Sequence, residues 1–365
     1  MMKALVLGSV SRTVLAVIRS LGRGGVQAHL AWNEPGCVSL RSRYLRAAHH
    51  LPPYHETDDA WKTALADLMR RERFDLVLPC SDVDTLACGG HRVDLGQWGR
   101  VYAPNDEAAA VLFDKIRTNE LARSVGVHTP REVIVTDSGS LGQVLAEFTF
   151  PVVLKPRRTF DPTRPGPAPA VRKAYSEAEL RGLLPAMLEG GPVAVQENFL
   201  GHGAGVELLL NAGEPLLAFQ HVRVHEPLQG GQSCYRKSVP LSPELLEAAV
   251  KLLRPLRYTG VAMVEFKVNP ATGRWVFIEV NARFWGSLPL SVAAGADFPL
   301  ALFRFLVEGR TDFPQRYRQG IYCRNLSLDL EWQLANLAAD HRDPTLLTVP
   351  LWRVFGEACL DVLTL

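Results

Sequence analysis

The chain lacks an excess of charge of either sign, because 40 lysine and arginine residues oppose 38 aspartate and glutamate residues among 365 and leave a net charge of +2. Such a balance gives no electrostatic basis for binding nucleic acid or a membrane surface. No uncharged apolar run reaches the ~20 residues that a membrane span requires. The first residues, MMKALVLG, are typical of a strand and not of a signal peptide. We therefore expect a cytoplasmic protein with no nucleic-acid and no membrane partner.

Paired cysteines and a dinucleotide fingerprint are also missing. The six cysteines are Cys37, Cys80, Cys88, Cys234, Cys323 and Cys359. None forms a Cys-x-x-Cys pair or shows metal-finger spacing, so we expect ordinary buried thiols. The turn after the first apolar segment does not contain a full G-x-G-x-x-G, which argues against a nicotinamide or flavin dinucleotide.

Apolar residues, by contrast, are plentiful. At 47% hydrophobic content, the chain is large enough for two or three domains, each with its own core. Strand and helix patterns alternate along the first hundred residues, which predicts a small open parallel sheet. Ligands bind beyond the carboxyl ends of the strands in such sheets, so Arg12 and Asp82 are candidates for the rim of a site. Ordinary turn or helix-cap positions remain the alternative for both residues.

A hairpin between residues 260 and 287 carries the clearest chemical pattern. Two apolar strands, VAMVEFKV and RWVFIEVNA, are joined by NPATG, whose proline and glycine form turns. Glu265 lies on the first strand, and Glu279 and Asn281 share one face of the second. Carboxylate and amide oxygens suit Mg2+, and Arg283 adds a cation for an anionic substrate. Because burying such groups without partners is costly, the pattern predicts a metal and anion site.

Glu265 followed by Glu279-Val-Asn281-Ala-Arg283 resembles the metal-binding signature of the ATP-grasp superfamily. The neighbouring segments GVAMVEFK and RFWGS are most similar to the carbamoyl-phosphate-synthase-like carboxylate-amine ligases. The resemblance implies an α/β (α+β) chain with an ATP-grasp fold. It implies four parts: a pre-ATP-grasp domain with a Rossmann-like parallel sheet (1–103), a first ATP-grasp subdomain with a mobile flap (104–195), a second subdomain with the metal site (196–310) and a C-terminal packing extension (311–365).

Two lysines resemble the phosphate-binding lysines of the superfamily. Lys115 begins a helix in FDKIRTNELARSVGVHTP, and Lys155 ends the apolar strand FPVVLK. A lysine at the end of a buried strand is expected to serve an anion, since lysine is rarely buried unpaired. Residues 157–170 are rich in proline and charge and take the place of the family's flap over the phosphates. The resemblance assigns the adenine contacts to Glu197, Asn198, Phe199 and Leu200.

The resemblance implies an ATP-dependent ligase that forms an amide or peptide bond through an acyl phosphate and releases ADP and phosphate. It implies ATP and Mg2+ as cofactors, with Mn2+ as an alternative ion. Glu265, Glu279 and Asn281 would hold the metal ion, while Arg283 and Lys155 would act on the transferred phosphoryl group. No general base is evident in the sequence, and an amine needs little more than desolvation and proximity.

The substrates are expected to be a small carboxylate and an amine, both amino-acid-like, and a homodimer is left open. A glycine pair between basic residues is typical of a loop that closes over an acidic substrate, although a plain hairpin end is the alternative. Asp82 or Glu226 would suit a cationic amine. The candidate substrate residues are Arg12, Asp82, Arg223, Gly230, Gly231 and Arg236.

Two other functions remain open at this stage. An ATP-dependent carboxylase or carbamoyl-phosphate-type enzyme would use the same hairpin with bicarbonate, but the sequence contains no second ATP-grasp copy and no biotin-carrier segment. A non-catalytic ATP-binding module is the other alternative. The presence of both lysines together with Glu265, Glu279, Asn281 and Arg283 favours an enzyme.

Overall fold

The computed structural model describes residues 1–8, 11–33, 36–158, 170–228, 231, 233–343 and 345–356. The first part alternates strands and helices. Its elements are β1 (Lys3–Leu7), α1 (Ser11–Arg23), β2 (Gln27–Trp32), β3 (Leu45–His50), α2 (Ala60–Glu72), β4 (Leu76–Pro79), α3 (Asp82–Gly90) and α4 (Arg92–Gly96). The strands form a parallel sheet in the order β3-β2-β1-β4, which confirms the predicted open parallel sheet.

Helices cover both faces of this sheet. Ala4 and Val6 of β1 pack in a core with α1, whereas Leu5 and Leu7 pack in a core with α2. Two-sided burial explains why β1 is a continuous apolar run. The sequence does not predict β3, because its burial alternates as on a half-covered edge strand and its segment LRAAHH has few apolar residues.

A second, antiparallel sheet follows. Its region contains α5 (Asp106–Leu112), α6 (Lys115–Ser124), β5 (Glu132–Val135), α7 (Leu141–Glu147), β6 (Val152–Pro156), β7 (Arg172–Ala174), α8 (Glu177–Leu188) and β8 (Val193–Glu197). The strand order is β5-β8-β6-β7. Val152 and Leu154 pack under α7 and α8, so the alternating residues Val153 and Lys155 face the opposite side.

The third sheet carries the predicted metal hairpin. Its region contains β9 (His202–Asn211), β10 (Glu214–His225), β11 (Tyr235–Ser238), α9 (Pro243–Leu253), β12 (Gly260–Val268), β13 (Trp275–Asn281), α10 (Leu288–Ala294), α11 (Phe298–Glu308), β14 (Tyr322–Arg324) and α12 (Leu326–Ala338). The strands are antiparallel in the order β13-β12-β9-β10-β11-β14. Because β14 pairs with β11, the segment after residue 310 contributes to the sheet that holds the hairpin.

Alternation along β12 separates the apolar core from the functional face. Ala262, Val264 and Phe266 pack in the core under α9. Met263 and Glu265 point to the other face, where a cavity opens towards the second sheet. Within the described ranges no single helix is long and apolar enough to cross a membrane, while α10 and α11 pass that test only as a pair bent by 82°.

Candidate active site

The two carboxylates predicted to bind a metal ion lie directly opposite each other, because Glu265 pairs with Glu279 in the register of β12 and β13. Asn281 follows on β13, and its Nδ2 donates to Oε1 of Glu279 over 3.3 Å. All three side chains line a cavity of about 380 Å3, which we call the central cavity. The structure therefore brings together the three predicted metal ligands on one face of the hairpin.

A β-bulge positions Lys155 beside this hairpin. The register shifts between Glu265 and Phe266, so Ile278 is the additional residue on β13. The carbonyl oxygen of Ile278 accepts a hydrogen bond from Nζ of Lys155 over 3.3 Å. Lys155 is only 7% exposed, and this burial, with the nearby charge of Lys115, lowers its pKa to about 8 although Glu279 opposes the shift.

Lys115 is placed by the start of α6. Asp114 caps the helix by accepting two backbone amides of the first turn, and its carboxylate pairs with Nε of Arg157 over 2.6 Å. Nζ of Lys115 lies 3.9 Å from Oε2 of Glu279. Burial opposes the ionisation of Glu279, but Lys115 and Lys155 outweigh it and lower the pKa of this carboxyl.

Arg223 is the partner of the other carboxylate. Its Nη2 lies 2.6 Å from Oε1 of Glu265, and its Nη1 lies 3.2 Å from Oε2 of Glu226. Burial raises the pKa of Glu265, Arg223 opposes this shift, and the charge of Glu279 adds to it. The sequence predicts Arg223 as part of a substrate loop. In the structure Arg223 lies on β10, lines the central cavity and reaches across β9 to Glu265.

Two glycines on β9 leave the space in which the side chains of Arg223 and His221 cross this strand. A Cβ atom at Gly203 would overlap the side chain of Arg223, and one at Gly205 would overlap the ring of His221. Gly205 pairs with His221 on one side and with Glu265 on the other. The segment GHGAG therefore leaves space for side chains of β10 to reach β12, a role that the sequence analysis does not assign to it.

His221 is a residue of the central cavity that sequence reasoning missed. Its Nδ1 lies 2.6 Å from Oε1 of Glu207, and Oγ of Ser287 donates to the same carboxylate oxygen over 3.2 Å. Glu207 is fully buried, so its carboxylate serves to hold the ring of His221. The glycines at alternate positions before Glu207 are the only feature of the sequence that indicates a side chain, here that of His221, crossing β9.

Arg283 and Asp82 form an ion pair between the first and third sheets. Nε of Arg283 lies 2.7 Å from Oδ1 of Asp82, and both line a second cavity of about 190 Å3 that also contains Lys115 and Glu279. Because Arg283 already neutralises Asp82, the structure does not support Asp82 as the site of a cationic amine. Glu226 is likewise engaged by a cation of the protein, since it pairs with Arg223.

The predicted adenine end of the central cavity is lined by Glu197, Asn198 and Phe199, while Leu200 is not among its lining residues. Both oxygens of Glu197 are held by Arg131, through the backbone amide and Nε. Lys173 lines the same end, and burial lowers its pKa to about 8. The positive charge of Lys173 at this end of the cavity would attract an anionic nucleotide.

Of the remaining substrate candidates, some line the central cavity and others do not. Arg236 and Gly231 line the central cavity, and the carbonyl of Gly231 accepts from Nη1 of Arg223 over 3.2 Å. Arg12 does not line this cavity, but it lies close enough to Arg236 for its charge to help lower the pKa of that residue. Gly230 and residues 159–169, which contain most of the predicted flap, lie outside the described residues.

The donor set fits a hard cation. Across the ranges that the structure describes, no group of three His, Cys, Asp or Glu side chains could hold a metal ion by itself. Mg2+ commonly uses one or two carboxylates and completes its shell with waters and substrate phosphates. Glu265, Glu279 and Asn281 provide that number of oxygen donors, and Lys115 and Arg223 balance their charge in the structure.

A comparison with known proteins finds a family model and relatives that match the part of the chain that carries this site. The model of the carbamoyl-phosphate synthase L chain ATP-binding domain matches residues 241–307, which include β12, β13 and Arg283. The carbamoyl phosphate synthase large chains of Xylella fastidiosa and Thermus thermophilus are 25% and 28% identical over 78% and 65% of this chain. The match covers 26% and 24% of those proteins, so the chain spans about a quarter of their length.

Solved structures resemble the whole architecture. N5-carboxyaminoimidazole synthetase from Staphylococcus aureus complexed with ADP has a TM-score of 0.67 at 14% identity, over 87% of this chain and 80% of that one. The biotin carboxylase domain of Hydrogenobacter thermophilus 2-oxoglutarate carboxylase, complexed with MgADP, ADP and bicarbonate, has a TM-score of 0.67 at 19% identity, over 88% and 73%. L-amino acid ligase from Bacillus licheniformis has a TM-score of 0.64 at 14% identity, over 84% and 74%.

These likenesses define the class of the protein by its fold. The parallel sheet followed by two antiparallel sheets that enclose the central cavity is the ATP-grasp architecture. The chain has the ATP-grasp fold, which confirms the fold that the resemblance in the sequence predicts.

Proposed function

We propose that the chain is an ATP-dependent ligase that joins a carboxylic acid to an amine through an acyl phosphate. The observation that carries the proposal is the facing pair of Glu265 and Glu279, with Lys115 beside Glu279 and Lys155 at the adjoining carbonyl of Ile278. ATP and Mg2+ are supported by solved structures of this fold that contain ADP or MgADP. An amide-forming reaction is supported by the likeness to an L-amino acid ligase.

In the first step, an oxygen of the carboxylate substrate attacks the terminal phosphorus of ATP, and the bond from that phosphorus to ADP breaks. Such a transfer needs neutralised charge and correct positioning more than covalent chemistry from the protein. Lys115 and Lys155 bind the phosphate oxygens, and Arg283, oriented by Asp82, binds the transferred group. Mg2+, held by Glu265, Glu279 and Asn281, would neutralise the phosphates when bound.

In the second step, the amine nitrogen attacks the acyl carbon, the carbon–oxygen bond to phosphate breaks, and the nitrogen loses a proton. An α-amino group has a pKa of about 7.7–8.0, so much of it is protonated near neutral pH. His221 is the group of the central cavity suited to accept this proton. Its hydrogen bond to Glu207 orients the ring and leaves Nε2 for the substrate.

A second candidate is a carboxylase or a carbamoyl-phosphate-type enzyme that uses bicarbonate. It is favoured by the relatives of the carbamoyl phosphate synthase large chain and by the bicarbonate in one structural neighbour. The same carboxylates, lysines and arginine would serve this chemistry. The two candidates differ in whether ADP release requires bicarbonate or an organic acid.

The test is trapping of the acyl phosphate. With ATP, Mg2+ and amino acids supplied in pairs, we expect ADP release to require both an acid and an amine and to give a condensation mass. Hydroxylamine should replace the amine and yield a hydroxamate. ADP release that depends on bicarbonate without amide formation would favour the second candidate, and nucleotide binding without turnover would favour a non-catalytic module.

Lys155→Met is expected to weaken ATP binding by about 10-fold or more, since a charge-assisted hydrogen bond contributes about 1.5–3 kcal/mol. Because the pKa of Lys155 is lowered to about 8, its charge is present below that pH and is lost above it. The wild-type ATP dissociation constant should therefore rise with pH through about 8, and the variant should not show this rise. Calorimetric titrations between pH 6.5 and 9 measure both effects.

Lys251→Met, on the exposed face of α9, is the matched control and should bind ATP as the wild type does. An unchanged dissociation constant in Lys155→Met would remove Lys155 from the nucleotide site.

A further inference from the structure

Arg236 on β11 carries a buried charge without a carboxylate partner in the part of the chain that the structure describes. It is 5% exposed, and its Nη2 donates to the backbone carbonyl of Ser233. Burying a charge without a counter-charge is costly. The two other arginines that line the central cavity are both paired, Arg223 with Glu265 and Arg283 with Asp82. Arg236 therefore differs from them in having no carboxylate counter-charge among the described residues, so that a ligand could supply it.

The surroundings of Arg236 strengthen this conclusion. Arg223 is its partner in the register of β10 and β11. Burial, followed by the charges of Arg223 and Arg12, lowers the pKa of Arg236 to about 10, so it remains protonated near neutral pH. Positive charge concentrated in a desolvated pocket attracts an anion.

The position of Arg236 indicates which anion it meets. Glu279, Glu265, Gly205, His221 and Ser238 form one continuous row across β13, β12, β9, β10 and β11. Arg236 lies two residues from Ser238, so both side chains are on the same face of β11. Three strand spacings of about 4.8 Å and an offset of two residues along the strands place the Cα atom of Arg236 about 16 Å from that of Glu265. His221 lies between them.

We propose that Arg236 binds the carboxylate of the amine substrate, which is therefore an amino acid rather than a simple amine. The amino group would lie at His221, between the phosphorylated acid at the metal carboxylates and the guanidinium of Arg236. A guanidinium and a carboxylate form paired, charge-assisted hydrogen bonds, which fix orientation as well as affinity. The inference rests on the proposed ligase function, and it differs from the expectation that the basic residues select the acid donor.

Thermal unfolding separates a ligand-binding arginine from a structural one. Arg236→Met keeps the length of the side chain and removes a buried charge without a carboxylate partner, so the melting temperature should stay the same or rise. Replacement of an arginine that stabilises the fold would instead lower the melting temperature by several degrees. Arg236→Lys, which retains a charge, provides the conservative comparison.

Turnover is then measured with an acid donor identified by hydroxamate formation. Each proteinogenic amino acid and its C-terminal amide serves as the amine. The wild type should prefer free amino acids to amides, and Arg236→Met should reduce this preference by about 10- to 100-fold, through KM, because one charged hydrogen-bond pair is lost. Hydroxamate formation, which needs no second carboxylate, should keep its wild-type rate, and Arg236→Lys should recover part of the preference.

Lys237→Met is the matched control, because Lys237 lies over the ring of Tyr322 and outside the central cavity. It should keep the preference. Equal losses with amino acids, amides and hydroxylamine in Arg236→Met would overturn the proposal, and so would an unchanged preference.

An equilibrium measurement decides the role of Arg236 even if the ligase function is wrong. With ADP and Mg2+ present, a mixture of the twenty amino acids should raise the melting temperature of the wild type, whereas the mixture of their amides should not. Arg236→Met should lose this difference. Absence of hydroxamate from every acid would refute the ligase function alone, while equal protection by both mixtures would refute the inference about Arg236.

Discussion

Replacement of Glu279 by glutamine is expected to reduce ADP formation to below about 1% of the wild-type rate, since a single electrostatic contact of this kind contributes about 10²- to 10³-fold. Glu279 faces Glu265 across the hairpin and is approached by Lys115. Its pKa is lowered, so it is the carboxylate most readily available in charged form. An amide in its place retains the shape but removes the charge that Mg2+ requires.

The Mg2+ dependence of ATP binding provides a readout besides activity. Glu279→Gln should bind ATP with little response to Mg2+, at an unchanged melting temperature. Glu265→Gln should be less severe, because Arg223 already balances Glu265. The control is Glu244→Gln at the exposed start of α9. Near-normal ADP formation by Glu279→Gln in Mg2+ would show that the hairpin does not hold the metal.

Replacement of His221 by asparagine is expected to lower amide formation by about 10²- to 10⁴-fold, the usual contribution of a general base. Asparagine places an amide close to the position of Nδ1, so the hydrogen bond to Glu207 is retained, but it has no basic nitrogen for the substrate. Hydroxylamine is a much weaker base than an aliphatic amine and is unprotonated near neutral pH. Hydroxamate formation should therefore remain within a few-fold of the wild type.

The two rates are measured in parallel with the same acid donor. His55→Asn, at an exposed position, should leave both rates unchanged. If His221→Asn reduced amide and hydroxamate formation by the same factor, His221 would act in formation of the acyl phosphate or in packing, and its role as proton acceptor would be excluded.

Local patterns made much of the fold predictable. The apolar run of β1 is buried on both faces, and the turn residues between β12 and β13 fix the hairpin. Such signals are local, because they depend on the period of apolar residues and on turn chemistry. The edge strand β3 carries a weaker signal, since its residues alternate between half-buried and exposed.

The arrangement of the predicted metal ligands on the hairpin of β12 and β13 was predictable for the same local reason. Glu265, Glu279 and Asn281 lie on neighbouring strands joined by a short turn, so alternation alone places them on one face. Their mutual register also depends on the bulge at Ile278, which brings Lys155 to the hairpin. A bulge has no unique sequence signature here, so only the structure reveals its position.

The sequence by itself determined the parallel sheet, the β12–β13 hairpin with its carboxylates and the strand and helix ends that carry Lys155 and Lys115, because each depends on spacing within one short segment. Only the tertiary structure decided how charges pair over long sequence separations: Asp82 with Arg283, Glu265 with Arg223, and Glu207 with His221. It also left Arg236 with no carboxylate among the described residues. Strand order, and the glycines that let side chains cross β9, set these pairs, and neither can be derived from periodicity in the chain.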